Sequence, residues 1–331
     1  MLSGRSQESG GTVKESAQTA PAVLMVRPLC FGFNDSTADS NRMQSRQTTV
    51  DAERIIGAAQ SEFDALRRAL ESEGVRVCAV SDLASPRCPD AVFPNNWISF
   101  HDDGTVVLYP MLAPNRRLER REDIIAEVCA VSGFHERRRI DLTPHEQQGR
   151  FLEGTGSLVL DHAARVAYAC RSPRTDPRLV EEWARLLRYT PVVFNATDAA
   201  GFPYYHTNVM MWIGERCAVI CLDAIDAAER AAVQDSLQAS GRELIEIDRV
   251  AVAAFAGNML ELASWDEALG DSSALIMSRT AHQALTPETR RRLSACVDSM
   301  IAVPVPTIEA IGGGSVRCMM AEVPQLRGMG A

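Results

Sequence analysis

Short β-hairpin patterns recur along the chain at a nearly constant interval, and this repetition limits the folds that the sequence can adopt. Successive hairpins begin between 50 and 60 residues apart, near Asn96, Gly156, Asn208, Asn258 and Gly314. Amphipathic helical patterns and a further β-type run follow the hairpins, and one such helix and strand, at residues 49–73 and 75–80, precede the first hairpin. The sequence therefore predicts an α/β fold built from repeated ββαβ units.

Five such units around one axis would form a five-bladed, pseudo-symmetric α/β propeller whose hairpin starts converge on a central active site. An open α/β sheet has no such convergence, and the period alone does not separate the two folds. The last unit is compressed between Gly312 and Val323, and its strand is placed to pair with the first strand at Val23 and close the ring. We expect residues 21–331 to form a single catalytic domain.

The composition excludes several classes of protein. The chain has 331 residues, of which 46% are hydrophobic and 23% charged, as in ordinary globular proteins. Its net charge of -9, without a basic block, argues against a nucleic-acid partner. No apolar run approaches the ~18 residues that cross a membrane. Residues 1–20 are polar and lack the apolar core of a secretory signal, so they predict a disordered N-terminal tail.

Cysteine usage predicts a reducing compartment. The nine cysteines show no Cys-x-x-Cys pair and no regular framework, which favours free thiols over disulfides or a metal site. We therefore expect a cytoplasmic protein without a bound metal.

One thiol and one histidine stand out as candidates for chemistry. Cys318 follows three consecutive glycines, which let a ligand approach the backbone closely and offer N–H donors for developing charge. His206 is the one histidine at a hairpin start, and a Cys/His pair suits covalent hydrolysis. Glu153, between apolar residues and glycines, would orient His206. The alternatives are a buried structural thiol for Cys318 and a solvated acid for Glu153.

The chain resembles the guanidine-modifying, or pentein, superfamily, which includes arginine deiminases, dimethylarginine dimethylaminohydrolases and amidinotransferases. The resemblance extends from about Val23 to Val323. It is carried by four segments in the same order: Phe93-Pro-Asn-Asn96, Leu152-Glu-Gly-Thr-Gly156, His206-Thr-Asn208 and Gly312-Gly-Gly-Ser-Val-Arg-Cys318. It implies the five-bladed propeller, a catalytic set of Cys318, His206 and Glu153, and no metal or organic cofactor.

The resemblance also implies how an amino-acid substrate is held. Arg116 and Arg171 match arginines that bind the substrate carboxylate in arginine deiminases, for which the guanidinium fork is well suited. Deiminases grip a cationic guanidinium with three acidic side chains, whereas this chain has Asn96, Gly156 and Asn208 at those positions. A buried cation without a carboxylate is costly, but asparagine can both donate to and accept from a neutral ureido group.

The sequence therefore predicts a cysteine-dependent C–N hydrolase that converts citrulline to ornithine, carbon dioxide and ammonia. The segment Phe93-Pro-Asn-Asn-Trp-Ile-Ser99 also resembles the citrulline-hydrolysing branch of the superfamily. One alternative is a hydrolase of arginine or methylarginine, which would need Asp90 or Asp35 near the guanidinium. Others are an amidinotransferase and a non-catalytic binding protein. Residues 31–44 form either a lid or an ordinary loop, and self-association is left open.

Overall fold

The computed structural model describes residues 17–47, 51–266 and 270–326, in which the strands form five separate three-stranded sheets. The strands are β1 (Ala22–Arg27), β2 (Arg76–Ser81), β3 (Ile98–Phe100), β4 (Thr105–Leu108), β5 (Arg138–Asp141), β6 (Val159–Asp161), β7 (Val166–Cys170), β8 (Thr190–Phe194), β9 (Met211–Ile213), β10 (Cys217–Ile220), β11 (Glu243–Glu246), β12 (Leu260–Asp266), β13 (Gly270–Ser278), β14 (Ser299–Val303) and β15 (Ala321–Val323). The helices are α1 (Ala52–Ser72), α2 (Glu122–Ser132), α3 (Gly154–Ser157), α4 (Pro177–Leu187), α5 (Ala227–Gln238), α6 (Arg249–Ala253), α7 (Arg279–Ala284) and α8 (Pro287–Cys296).

Four of the sheets repeat the predicted ββαβ order along the chain. In each, an antiparallel hairpin is followed by a helix and then by a strand parallel to the second hairpin strand, as in β3-β4-β5, β6-β7-β8, β9-β10-β11 and β12-β13-β14. The fold is thus the predicted five-unit α/β propeller. The open-sheet alternative is wrong, because the strands fall into separate small sheets instead of one continuous sheet.

The fifth sheet joins the two ends of the chain. Its order is β15-β1-β2, in which Ala22 pairs with Val323 across an antiparallel ladder and Val23 pairs with Val77 in parallel. The predicted closure of the ring by the last strand is confirmed. The segment that carries Cys318 therefore lies beside the first strand of the fold.

The longer helices pack apolar side chains against the sheets, as α1 does with Phe63, Leu66 and Leu70. α4 illustrates why they form: Asp176 caps its N-terminus by accepting from the backbone N–H of Arg178, and Pro177 occupies the first turn. The same helix buries Trp183 among the apolar residues of its blade. Among the described helices, none has the length and apolar character that a bilayer crossing requires.

Two predicted boundaries need correction. The amphipathic pattern of residues 286–300 predicts one helix over that whole range, but α8 ends at Cys296, because Ser299 and Met300 already pair with β13 as part of β14. The predicted tail was placed at residues 1–20, of which 1–16 lie outside the described residues. Gln18 and Ala20 instead belong to the fold: Gln18 Nε2 donates to two backbone carbonyls at 3.0 and 3.1 Å, and Ala20 bridges to β12.

Candidate active site

The hairpin starts converge, as predicted, and enclose a small polar cavity at the centre of the propeller. The cavity is lined by Asn41, Asp90, Phe93, Asn96, Arg116, Arg174, Tyr205, His206, Gly312, Gly313, Gly314 and Cys318. Its volume is about 10 Å³, which is near the minimum for one water molecule. The site is therefore closed in this conformation.

Short helical turns bring the polar side chains to the cavity. Residues Pro94–Asn96 and Thr207–Val209 form single 3₁₀ turns, and α3 fills the equivalent place in the second unit. Gly154 starts α3 with a positive φ of 49°, and a Cβ atom there would lie 2.1 Å from the carbonyl oxygen of Asn95. These tight turns account for asparagine and glycine at strand entrances, where they are otherwise unfavourable.

The three predicted catalytic side chains are buried together. His206 Nε2 lies 2.9 Å from Glu153 Oε2, and Cys318 lines the same cavity as His206. Glu153 is fully buried, so the alternative of a solvated acid does not fit the structure.

Burial and neighbouring charges together set the protonation states of Glu153 and His206. Burial acts to raise the pKa of Glu153, but Arg174, the hydrogen bond with His206 and Arg116 outweigh it and hold that pKa at about 2. Burial lowers the pKa of His206 to about 4, although Glu153 opposes the change. His206 is thus neutral at neutral pH. Because ionised Glu153 can only accept, Nε2 carries the proton and Nδ1 is left as the proton acceptor.

Amide groups surround the sulfur of Cys318. Asn258 Nδ2 lies 3.2 Å from Sγ and Asn208 Nδ2 lies 3.6 Å from it. Asn208 was predicted to be in the site, but Asn258 was not. Its position at the start of the fourth hairpin, equivalent to those of Asn96 and Asn208, is the sequence signal that could have identified it.

Gly156 leaves no space for a side chain. A Cβ atom at this position would lie 2.6 Å from both Asn96 Nδ2 and His206 Nδ1. The acidic residue that deiminases carry here would therefore displace the imidazole. The glycine is required by the close packing of the site.

Arg116 lines the cavity, but its guanidinium is engaged by the protein. Nε and Nη2 both donate to the carboxylate of Glu119 at 2.9 Å, and Nη1 donates to Asn96 Oδ1 at 2.7 Å. Asp90 lies 3.7 Å away. The prediction that Arg116 holds the substrate carboxylate does not fit this geometry, because the fork is already paired with Glu119 and positions Asn96. Burial raises the pKa of Glu119 to about 7, although Arg116 opposes the change.

Arg171 does not reach the cavity, and Arg174 takes its place. The side chain of Arg171 is 38% exposed and pairs with Glu229 at 2.8 Å. The chain turns sharply after β7 through a bridge between Ser172 and Thr175, which directs position 174 inward. Arg174 is buried and lies 3.3 Å from Glu153 Oε2. The structure thus places Arg171 outside the cavity and Arg174 in its lining.

Asp35 and Asp90, the two carboxylates that a guanidinium substrate would need, lie in different places. Asp35 is exposed and pairs with Arg46, so it does not line the cavity. Asp90 lines the cavity, and its Oδ2 accepts from Asn34 Nδ2 at 2.7 Å. Its Oδ1 is buried and has no hydrogen-bond partner among the described residues. Asp90 therefore offers an unused acceptor at the site.

Residues 31–44, here named the cover segment, lie over the cavity. Asn41 Nδ2 donates to the carbonyl of Gly313 at 3.2 Å, and Arg174 donates to Ser40 Oγ at 2.8 Å. Tyr205 completes the wall by donating its hydroxyl to the same Gly313 carbonyl at 2.5 Å. These contacts favour a lid over an ordinary loop.

A larger cleft lies outside this wall. It has a volume of about 920 Å³, and Tyr205 lines both this cleft and the central cavity. The guanidinium of Arg42 stacks on the ring of Phe202 across the cleft at 3.2 Å.

Thiols and acids elsewhere form no metal site in the part of the chain that the structure describes. All nine cysteines are free.

Comparison with known proteins identifies the family. A family model described as "N,N dimethylarginine dimethylhydrolase, eukaryotic" matches residues 27–325. No curated protein matches the sequence at a significant level.

Several solved structures share the fold. The arginine dihydrolase ArgZ from the ornithine–ammonia cycle in cyanobacteria is 18% identical with a TM-score of 0.70 over 92% of this chain, which spans 40% of that protein. The substrate-bound N-terminal domain of ArgZ is 18% identical with a TM-score of 0.67, and the match covers 92% of this chain and 98% of the domain. A dimethylarginine dimethylaminohydrolase bound to S-methyl-L-thiocitrulline is 16% identical with a TM-score of 0.60, covering 92% and 99%.

The family model covers nearly all of the chain, and the structural matches repeat the propeller from one end of the described chain to the other. The chain belongs to the dimethylarginine dimethylaminohydrolase family of the pentein superfamily and is a hydrolase of carbon–nitrogen bonds other than peptide bonds.

Proposed function

We propose that the protein hydrolyses a neutral ureido amino acid and that citrulline, which yields ornithine, carbon dioxide and ammonia, fits best. The observation that carries the proposal is the pair of neutral side-chain amides that contact the sulfur of Cys318. Asn258 and Asn208 present amides to the sulfur, and Gly156 has no space for a carboxylate. A ureido carbonyl can accept from amide N–H groups, whereas a guanidinium offers donors only.

Cys318 attacks the ureido carbon in the first half of the proposed reaction. The thiol proton passes to His206 Nδ1 and from there to the nitrogen that leaves as ammonia. An S-carbamoyl intermediate remains, in which the carbon keeps its bond to the substrate chain nitrogen. Glu153 stabilises the imidazolium while it exists.

Water completes the second half of the reaction. His206 Nδ1 takes a proton from the water, which attacks the carbonyl carbon, and the carbon–sulfur bond breaks as the thiol recovers its proton. The released carbamate decomposes to ornithine and carbon dioxide. No redox partner or further reactant is needed.

The closed cavity holds about one water molecule, so it has no room for the amino-acid end of the substrate. The cover segment must therefore move to admit the substrate. Arg174 donates to Ser40 Oγ and to the carbonyl of Thr37, both in this segment. Lifting the segment would free these donors beside the cavity. We therefore assign the substrate carboxylate to Arg174 in place of Arg171 and Arg116.

A second candidate is a hydrolase of arginine or a methylated arginine. Asp90 Oδ1 favours it, because this buried acceptor lines the cavity and lacks a partner in the described part of the chain. The similar enzymes are named as an arginine dihydrolase and a dimethylarginine dimethylaminohydrolase. Asp90 would then accept from the guanidinium.

Product release from citrulline and from arginine, measured in parallel, tests the proposal. We expect ornithine and ammonia from citrulline, with the rate lowered by at least ~10³-fold in Cys318→Ala because the covalent route is lost. Cys221→Ala, which removes a buried thiol outside the cavity, serves as the matched control. Turnover of arginine alone would favour the second candidate, and turnover that survives in Cys318→Ala would contradict both.

Gly156→Ala should lower kcat by about 10- to 100-fold, because a Cβ atom 2.6 Å from His206 Nδ1 must displace the imidazole. Steady-state kinetics on the preferred substrate measures the change. Gly57→Ala is the control, since a Cβ atom at that position in α1 meets nothing within 4 Å. Equal rates for Gly156→Ala and wild type would mean that the site adapts without loss.

We also propose that residues 21–331 act as one catalytic unit in the cytoplasm. The nine free cysteines, several of them buried, are consistent with a reducing compartment.

A further inference from the structure

Asn258 is completely buried, and its amide orientation is fixed by its neighbours. Its Oδ1 accepts from the backbone N–H of Arg317 at 3.1 Å. Its Nδ2 donates to the carbonyl of Asn208 at 3.0 Å and to Cys318 Sγ at 3.2 Å. Because a backbone N–H can only donate and a carbonyl can only accept, the opposite orientation of the amide would break both bonds. The NH₂ group must therefore face the sulfur.

The loop that carries Asn258 is held in place by its backbone. Phe255 adopts a positive φ of 62°, and the N–H of Asn258 donates to its carbonyl at 2.8 Å. A Cβ atom at Gly257 would lie 2.5 Å from the carbonyl oxygen of Val209, so the two hairpin starts are in direct contact. The amide donor is thus positioned before any substrate arrives.

Few other groups form hydrogen bonds with the sulfur of Cys318. In the part of the chain that the structure describes, the hydrogen-bond contacts of Sγ are with Asn258 and Asn208. Asn208 Nδ2 is farther away, at 3.6 Å, and also donates to the carbonyl of Thr155. His206 is neutral before the proton transfer, so no imidazolium is present at that stage to stabilise a thiolate.

We propose that Asn258 is a catalytic residue whose amide N–H stabilises the negative charge that develops on Cys318 as the thiol proton passes to His206. A hydrogen bond to an ionised acceptor is stronger than one to a neutral acceptor, so this contact favours the thiolate over the thiol. The inference rests on the proposed role of Cys318 as the nucleophile. It also gives a chemical role to the start of the fourth hairpin. Cys318, His206 and Glu153 all lie elsewhere in the fold.

The pH dependence of Cys318 alkylation tests this role without any substrate. Iodoacetamide modifies the thiolate, and mass spectrometry of the Cys318 peptide separates its rate from those of the other eight cysteines, with Cys318→Ala as the background. Asn258→Asp replaces the donor with a carboxylate next to the sulfur. We expect the midpoint of the alkylation profile to rise by about one pH unit or more, and the rate at about pH 7 to fall about tenfold.

Two further variants control the experiment. Asn195→Asp makes the same change at an exposed asparagine that bonds Glu229, and it should keep the wild-type profile. Asn258→Ala removes the donor without adding charge, and it should move the midpoint in the same direction by less. A wild-type profile in folded Asn258→Asp or Asn258→Ala would overturn the proposal, since loss of a merely structural contact does not require the midpoint to change.

Wild-type protein gives a measurement that depends on no variant. Burial alone raises the midpoint of a thiol above the ~8.5 of a free cysteine. A midpoint at or below that value for buried Cys318 supports the donor, and a clearly higher value overturns it. Turnover that survives in Cys318→Ala would instead refute the proposed function, so the two failures are distinguishable.

Discussion

Glu153→Gln should lower kcat by about 10²- to 10⁴-fold while the protein stays folded. The ionised carboxylate accepts from His206 Nε2 at 2.9 Å, which keeps Nδ1 free as the base. An amide can turn its NH₂ group toward the ring and favour the wrong tautomer, and it no longer stabilises an imidazolium. The effect should fall on kcat more than on KM, because the imidazolium exists only during reaction.

Steady-state kinetics as a function of pH distinguishes this role from a structural one. Wild-type His206, with its pKa lowered by burial to about 4, should lose its base function only near that pH. Glu153 opposes this lowering, so its removal should move the acidic limb to still lower pH. Glu229→Gln, which removes a carboxylate paired with Arg171 outside the cavity, should leave both rate and profile unchanged. A wild-type kcat in Glu153→Gln would refute the assignment.

Arg116→Met should lower the free energy of unfolding by about 3–5 kcal/mol, because it leaves buried carboxylates without their cation. Glu119 accepts two hydrogen bonds from this guanidinium, and Asp90 lies 3.7 Å from it. Urea denaturation measures the change. Arg291→Met is the matched control, since it breaks an exposed pair with Glu288 and should leave the free energy of unfolding unchanged.

The decrease in the free energy of unfolding caused by Arg116→Met should also depend on pH. Burial raises the pKa of Glu119 to about 7 while Arg116 opposes the rise, so removing the arginine raises that pKa further. A carboxyl group with a raised folded pKa contributes stability at low pH and loses it as pH rises through that value. The variant should therefore be relatively less destabilised at about pH 5 than at about pH 8. Arg116→Met combined with Glu119→Met should recover part of the stability, and no recovery would contradict the role given to Glu119.

The architecture was predictable because its signals are local in the sequence. Hairpin turns, amphipathic helices and glycine-rich entrances repeat at a regular interval, and the resemblance to the pentein superfamily selected the propeller in which Asn96, His206 and Cys318 converge. The pairing of β15 with β1 also followed, since the last unit lacked a third strand of its own.

Side-chain partners were less predictable, because they depend on turns that the period does not describe. Arg171 and Arg174 differ by three positions, and the bridge between Ser172 and Thr175 decides which of them points inward. Arg116 has its main partner three residues away in Glu119, and this spacing in the sequence does not by itself show that the pair is buried. Gln18 is held by carbonyls of two distant blades, for which no local pattern exists.

The fifth sheet makes assembly of the candidate site depend on two strands that lie far apart in the sequence. During translation, β1 and β2 can pair early, but the outer edge of β1 stays open until β15 emerges some 300 residues later. Cys318 precedes β15 by only a few residues, so the thiol meets His206 only as this edge is closed. A chain without β15 would leave the edge of β1 open and would leave Cys318 without the strand that fixes its place.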